Sequence, residues 1–136
     1  MREITKWITI NGQHIPIFKE KNTKFNKKPQ FNYKQEGSNG KYKLSALKNN
    51  EVVGFIRYND EGNTPSVVFI RVDNKYRHKG IAKELYRKLQ KQYPNKTIKF
   101  GEMTEEGRQL IEHIGKITKQ IKNSDGFIEY YGRINI

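Results

Sequence analysis

The run Phe69-Ile70-Arg71-Val72-Asp73-Asn74-Lys75-Tyr76-Arg77-His78-Lys79-Gly80-Ile81-Ala82 holds the residues whose types and order suggest chemistry. A β-rich stretch passes into a basic turn, a glycine, a small residue and an amphipathic helix. Such a junction is an anion site. The unpaired N–H groups of the helix's first turn point at the turn, the helix dipole adds positive potential, and Arg77 and Lys79 supply full charges. A pyrophosphate fits there. Gly80 lets the backbone approach phosphate oxygens with no Cβ in the way, and Ala82 keeps the first helical turn close to both the anion and the sheet. His78 offers its backbone N–H, and its side chain can approach a phosphate. A solvated basic loop ahead of an amphipathic helix has the same residue types, so both readings stay open at this point.

The surrounding pattern supplies the elements that must position this turn. Tyr42 to Leu47 alternates apolar and polar residues, Asn49-Asn50 makes a turn, and Val52 to Tyr58 is the next strand. Ser66 to Val72 is rich in β-branched and aromatic residues and reads as a buried central strand. Gly80 to Tyr93 places Ile81, Ala82, Leu85, Tyr86 and Leu89 at helical spacing and stops at Pro94. Thr97 to Phe100 is a short strand. Thr104 caps a second helix with Glu105 and Glu106 in its first turn, Leu110, Ile111 and Ile114 on its apolar face and Gly115 at its end. Phe127 to Ile136 is a last strand after the turn Ser124-Asp125-Gly126. The order β-β-β-α-β-α-β predicts an α/β fold with a mixed central sheet, in which the third strand, the first helix and the next strand form a parallel crossover.

Ahead of this domain, expected over residues 41–136, the chain differs in character. Trp7 to Phe18 reads as two short β runs joined by Asn11-Gly12, so residues 1–18 form a β-hairpin or docking segment. Lys19 to Gly40 is rich in Lys, Asn and Gln without apolar periodicity and reads as a basic linker or long loop. Its aromatics Phe25, Phe31 and Tyr33 either dock on the host domain or stack on bases. His14 has no partner at ligand spacing.

Composition narrows the function classes. The 136 residues carry 27 Lys+Arg against 14 Asp+Glu, a net charge of +13, of which +8 lies in the first 50 residues. That excess predicts attraction to a polyanion. With no cysteine there is no disulfide framework, thiolate metal site or thiol nucleophile, and no metal is expected. No apolar run approaches the roughly 20 residues that cross a bilayer. The expectation is a cytoplasmic protein without a membrane partner.

Val72-x-x-x-Tyr76-Arg77-x-Lys79-Gly80-Ile81-Ala82 resembles the acetyl-coenzyme A signature of the GNAT acyltransferases, R/Q-x-x-G-x-G/A. Val53-Gly54-Phe55-Ile56 is similar to the strand that precedes the signature strand in that family. Thr104-x-x-Gly107-x-x-Leu110-Ile111-x-x-x-Gly115 lies where the family often has N-x-x-A-x-x-L-Y-x-x-x-G-F. The resemblance covers Lys41 to Ile136, and the family's first two helices have no counterpart. It implies an N-acetyltransferase that moves an acetyl group from acetyl-CoA to an amine by direct attack on the thioester. It also implies that backbone groups of Ile70, Val72, Arg77, His78, Lys79, Gly80, Ile81 and Ala82 bind the cosubstrate. Thr104 replaces the family's asparagine and either hydrogen-bonds the pantetheine arm or serves only as a helix cap.

The departures bear on mechanism. The family's tyrosine, the acid that protonates the leaving thiolate, falls on Ile111, which has no proton to give; Tyr130 or Tyr131 on the last strand is the replacement the sequence offers. The amine must lose a proton. Glu102 is the first candidate base, with Glu129 and His113 behind it. Asp73, beside the phosphate turn, is expected to point away from it. The acceptor is a small amine or a protein amino group. Two further readings carry other functions: a catalytically weak GNAT-fold adaptor, suggested by Ile111, and a nucleic-acid-binding module using the basic N-terminal half, which is not favoured because no reading motif is present. Trp7 to Ile17 is similar to short segments of some phage-encoded proteins, often near head-morphogenesis regions, which implies a mobile-element origin and a docking role for the arm.

Overall fold

The computed structural model describes residues 31–136 and, for the N-terminal unit, the backbone of two strands. The chain divides into two compact units, Met1–Gln30 and Phe31–Ile136. In the first, β1 (Glu3–Ile10) and β2 (Gln13–Lys19) pair antiparallel, with Ile10 opposite Gln13 and Ile8 opposite Ile15. The side chain of His14, the turn Asn11-Gly12 and Phe25 lie outside the described residues.

The second unit is a seven-stranded sheet in the order β3-β4-β5-β6-β7-β9-β8. Its strands are β3 (Asn32–Ser38), β4 (Lys41–Lys48), β5 (Glu51–Asp60), β6 (Pro65–Val72), β7 (Ile98–Gly101), β8 (Gly115–Lys122) and β9 (Ile128–Ile134), with helices α1 (Ile81–Gln92) and α2 (Glu105–Ile114). All neighbours run antiparallel except β6 and β7, which α1 joins as a parallel crossover. The mixed α/β sheet and its crossover are those expected from the sequence.

Two strands were not expected. The segment assigned to a linker ends in β3, whose residues NYKQEGS are exposed apart from the half-buried Tyr33, so there was no apolar alternation to read. The strand is instead set by its turn. Asn39 and Gly40 have φ of 55° and 77°, the left-handed pair that closes a two-residue hairpin and places Ser38 opposite Lys41. Phe31 and Tyr33 dock on the domain, Phe31 edge-on to Tyr76 with ring centroids 6.1 Å apart and Tyr33 beneath the Lys88 ammonium at 4.7 Å. The other added strand, β8, is also an exposed edge. It begins at Gly115, which is extended rather than left-handed. Its glycine is required by packing, because a Cβ there would lie 2.1 Å from the Arg133 carbonyl oxygen of β9.

The core lies between the sheet and α1. Ile81, Leu85 and Leu89 of α1 bury against Leu44, Ala46, Ile56 and Tyr58 of β4 and β5, and Ile111 and Ile114 of α2 belong to the same cluster. At the far end of α1 the buried Gln90 ties the helix to the chain around it. Its amide donates to the Tyr93 and Lys96 carbonyls (2.8 and 2.9 Å), and its Oε1 accepts the Ile134 N–H at 2.9 Å. Strand β6 is central in the sheet but not buried throughout: Val68 is 59% and Phe69 51% exposed. An extra residue at Val68, between the pairs Arg57 with Phe69 and Tyr58 with Val67, makes a bulge that bends the strand at this point.

Candidate active site

The parallel strands β6 and β7 meet at one end and part at the other. Ser66 and Lys99 are their single registered pair among the described residues, so the β6 backbone beyond Val67 runs without a β7 partner. The gap opens into a cleft of about 670 Å³ between β6, the start of α1 and one side of α2. Ile70 and Val72 form its sheet wall, Ile81, Ala82 and Tyr86 its α1 wall, and Thr104, Leu110 and His113 its α2 wall; Arg77, His78 and Gly80 stand at the mouth. A mostly apolar throat therefore leads to a cationic rim.

The rim is built by the turn between β6 and α1. Asp73 N–H donates to the Val53 carbonyl at 2.9 Å, Tyr76 N–H to Asp73 O at 2.9 Å, and Arg77 N–H to Asn74 O at 3.2 Å. These bonds wind Asn74–Tyr76 into one 3-10 turn and carry the chain to His78 and Gly80. Both are left-handed, at φ 62° and 82°. For His78 this conformation is uncommon and has a modest cost, which a glycine would not incur. Gly80 is the N-cap of α1, and the first bond of the helix joins Glu84 N–H to Gly80 O at 3.0 Å. The N–H groups of residues 80–83 thus have no partner within the helix. A Cβ on Gly80 would have no atom within 4 Å, so the backbone there faces open space. Arg77 fixes its side chain by donating Nε–H to the Val72 carbonyl at 3.3 Å while remaining exposed.

Eight of the nine expected binding residues line the cleft; Lys79 is exposed in the same turn but is not part of the wall. Thr104 is a helix cap, accepting the Gly107 N–H at 3.1 Å, and lines the cleft as well. Asp73, as expected, is not a lining residue. Glu102, Tyr130 and Tyr131 are not brought to the cleft. Glu102 is exposed between β7 and α2, Tyr130 packs against the core, and Tyr131 lies on β9 opposite Lys99, under the Lys119 ammonium at 5.5 Å. Glu129 pairs with Lys99 at 3.6 Å.

Sequence reasoning placed His113 last among the candidate bases and Tyr86 only in the core, yet both line the cleft. Tyr86 sits one helical turn after Ala82, which puts it on the same side of α1. Its ring packs edge-on to Phe100 at 5.7 Å, and burial raises its phenol above the ordinary value, so the proton is held across the neutral range. Ile111 is fully buried in the core and does not line the cleft. Among the described residues no cluster of His, Asp and Glu is placed to hold a metal, and no helix is long and apolar enough to cross a membrane.

The fold is shared with solved structures. A Bacillus anthracis protein assigned as a streptothricin acetyltransferase, in complex with acetyl coenzyme A, superposes with a TM-score of 0.57 at 20% identity over 73% of this chain and 65% of its own. The Thermoplasma acidophilum PaiA N-acetyltransferase, in complex with coenzyme A, gives 0.52 at 15% over 68% and 60%. The Escherichia coli ribosomal-protein alanine N-acetyltransferase gives 0.56 at 12% over 72% and 71%. The chain thus spans less than two thirds of the first two. No curated protein matches it in sequence. The family model of the GNAT acetyltransferases matches residues 9–105, a stretch that includes the whole of the β6 to α1 turn. By that match over most of its length, the chain belongs to the GNAT acetyltransferase family.

Proposed function

We propose that the protein is an acetyl-CoA-dependent N-acetyltransferase that transfers the acetyl group to an amine by direct attack on the thioester. The observation that carries this reading is the cleft between β6, α1 and α2, whose apolar walls are joined by the cations Arg71, Arg77 and Lys83 against one carboxylate, Glu106. That combination suits a long molecule with a diphosphate at one end and an uncharged arm. The N–H groups at the start of α1 and the Arg77 guanidinium bind the diphosphate, and the walls formed by Ile70, Val72 and Leu110 hold the arm. Acetyl-CoA supplies the activated acyl group. The unpaired β6 backbone near Ile70 polarises the carbonyl as the amine nitrogen bonds to its carbon and the carbon–sulfur bond breaks. Tyr86, in place of Ile111, gives its proton to the departing sulfur, and Tyr130 and Tyr131 are set aside because neither lines the cleft. The amine proton leaves through His113, which is in the cleft, or through water to Glu102, which is not.

The acceptor is an amine. The similar structures have names that point to acceptors as different as streptothricin and an alanine of a ribosomal protein, so the fold does not select among them. The N-terminal unit with its basic extension is a docking segment for a partner in this reading.

Calorimetric titration of acetyl-CoA into the wild type and Gly80→Trp tests the assignment. Saturable heat in the wild type and its loss in the variant are expected, because the new side chain would stand in the mouth and strain a left-handed position. Equal heats in both, or none in the wild type, overturn it. Binding without transfer to any amine would favour the adaptor reading, for which the specific observation is the core position of Ile111.

A further inference from the structure

The face of the sheet opposite α1 has a composition that the acetyl-transfer reading does not use. Register across β3, β4, β5 and β6 aligns Lys34, Ser45, Phe55 and Arg71 in one row. The next row on the same face is Glu36, Lys43, Arg57 and Phe69. The helix is on the other side: Tyr33, Gln35 and Tyr58, whose positions alternate with these, contact Lys88 and Gln92 of α1. The two rows hold four cations, two phenylalanines and a single acid.

The aromatic pair is central, with Phe69 exposed and Phe55 half-buried among the described residues. Phe55 and Phe69 lie on adjacent strands with ring centroids 5.9 Å apart. Phe69 is 51% exposed and the bulge residue beside it, Val68, 59%. Lys43 Nζ lies over the Phe55 ring at 4.6 Å and Arg57 Cζ at 5.6 Å, so two cations sit on Phe55 beside the exposed ring of Phe69. Large apolar side chains left in water at the middle of a sheet cost free energy and mark a surface that is covered by something. A peptide partner with an apolar patch would not call for surrounding cations, and a cationic amine would be repelled by them. Planar rings interleaved with Lys and Arg match one chemistry well: unstacked bases lie on the rings while the phosphates joining them meet the cations.

We propose that this face binds single-stranded nucleic acid, with a base stacked on Phe69 and phosphates held by Arg57, Lys43 and Arg71. Duplex is excluded by shape, since paired bases do not present their faces to a sheet. The site is separate from the cleft, apart from Arg71, which reaches both. The inference therefore does not depend on the acetyl-transfer reading.

The test is fluorescence anisotropy of the full chain with a labelled oligouridylate of roughly a dozen nucleotides, across a salt series. Saturable binding is expected at low salt, weakening as salt rises by about 0.7 log units per log unit of salt for each phosphate neutralised. Phe69→Ser should weaken binding about tenfold without altering that slope, since stacking carries no charge. Arg57→Gln should reduce the slope by about 0.7. Neither residue lines the cleft, so the calorimetric heat with acetyl-CoA and the thermal melting of both variants should match the wild type and report intact folding. Absence of binding overturns the proposal. So does wild-type affinity in both variants, which would place attachment on another basic segment, and so does equal affinity for a hairpin duplex. Displacement of the oligonucleotide by oligoglutamate as readily as by unlabelled oligouridylate would also overturn it, and would point to an acidic protein instead.

Discussion

Gly54 of β5 lies directly beneath Ile81, the first residue of α1: a Cβ on Gly54 would come within 3.1 Å of the Ile81 Cγ2 and of the Arg71 carbonyl oxygen. The sheet and the turn before α1 are thereby set at a fixed distance, because the start of the helix sits close on β5 where β5 has no side chain. Gly54→Val should push the start of α1 outward. We expect a loss of about 1–3 kcal/mol in urea unfolding, as for other overpacked cores, together with weaker acetyl-CoA binding. A variant with wild-type stability and wild-type heat of binding would show that the helix is not seated by this contact.

Tyr86→Phe separates packing from chemistry. The variant keeps the edge-on contact with Phe100 and removes only the hydroxyl. If that hydroxyl is the proton donor to the leaving sulfur, kcat should fall at least roughly tenfold, toward the lower part of the range for a lost general acid, because a thiolate is a tolerable leaving group unaided. The KM for acetyl-CoA and the melting temperature should change little. Because burial raises the phenol pKa, the wild-type rate should show no loss of this acid up to the ordinary tyrosine range. An unchanged kcat would reduce Tyr86 to a wall of the cleft.

The turn at the mouth of this cleft and the wall residues Ile70, Val72, Ala82 and Thr104 were legible in the sequence, whereas the place of Tyr86 was not. Arg77, Gly80 and Ala82 are constrained by backbone chemistry, which is local: an anion needs free N–H groups, and these exist at a helix start. Tyr86 and His113 meet in the cleft because α1 and α2 both line it, a relation between distant parts of the sequence that periodicity does not report. Tyr86 satisfied the core pattern and so gave no separate signal. The strands show the same division. β5 and β6 carried apolar residues, whereas β3 and β8 are exposed edges whose side chains look like those of a loop. For β3 the available signal is the left-handed pair Asn39-Gly40, which in a sequence without apolar alternation also suits the end of a linker.

Gln90 offers a stability test away from the site. Its side-chain amide is buried and satisfies three backbone groups, those of Tyr93, Lys96 and Ile134. Gln90→Leu has a similar volume but leaves two carbonyls and one N–H without that partner. The Ile134 N–H is the buried group that loses its partner, while the Tyr93 carbonyl keeps the Lys96 N–H at 3.1 Å and Lys96 is exposed, so a loss of about 1–3 kcal/mol is expected from the urea midpoint at constant m. A loss below about 1 kcal/mol would mean that water replaces the amide.

Stability at high pH follows from four tyrosines that the fold holds protonated, Tyr33, Tyr58, Tyr86 and Tyr93. Burial raises the Tyr58 phenol to about 12, and Tyr33, Tyr86 and Tyr93 are raised in the same direction, Tyr93 also through its hydrogen bond to Asp60 at 3.1 Å. In the unfolded chain each titrates near 10. The native state therefore binds more protons than the unfolded state once the pH exceeds about 10, and stability must fall as pH rises. The contribution is fully present below about 10 and is lost progressively as the pH climbs toward about 12. Urea midpoints measured at intervals from neutral pH upward should stay level with respect to these groups and then drop. Tyr58→Phe should be less stable at neutral pH, since Gln35 and Gln92 lose the hydroxyl they share, yet its decline above pH 10 should be shallower. A decline of equal steepness in the variant would show that Tyr58 ionises freely in the folded protein.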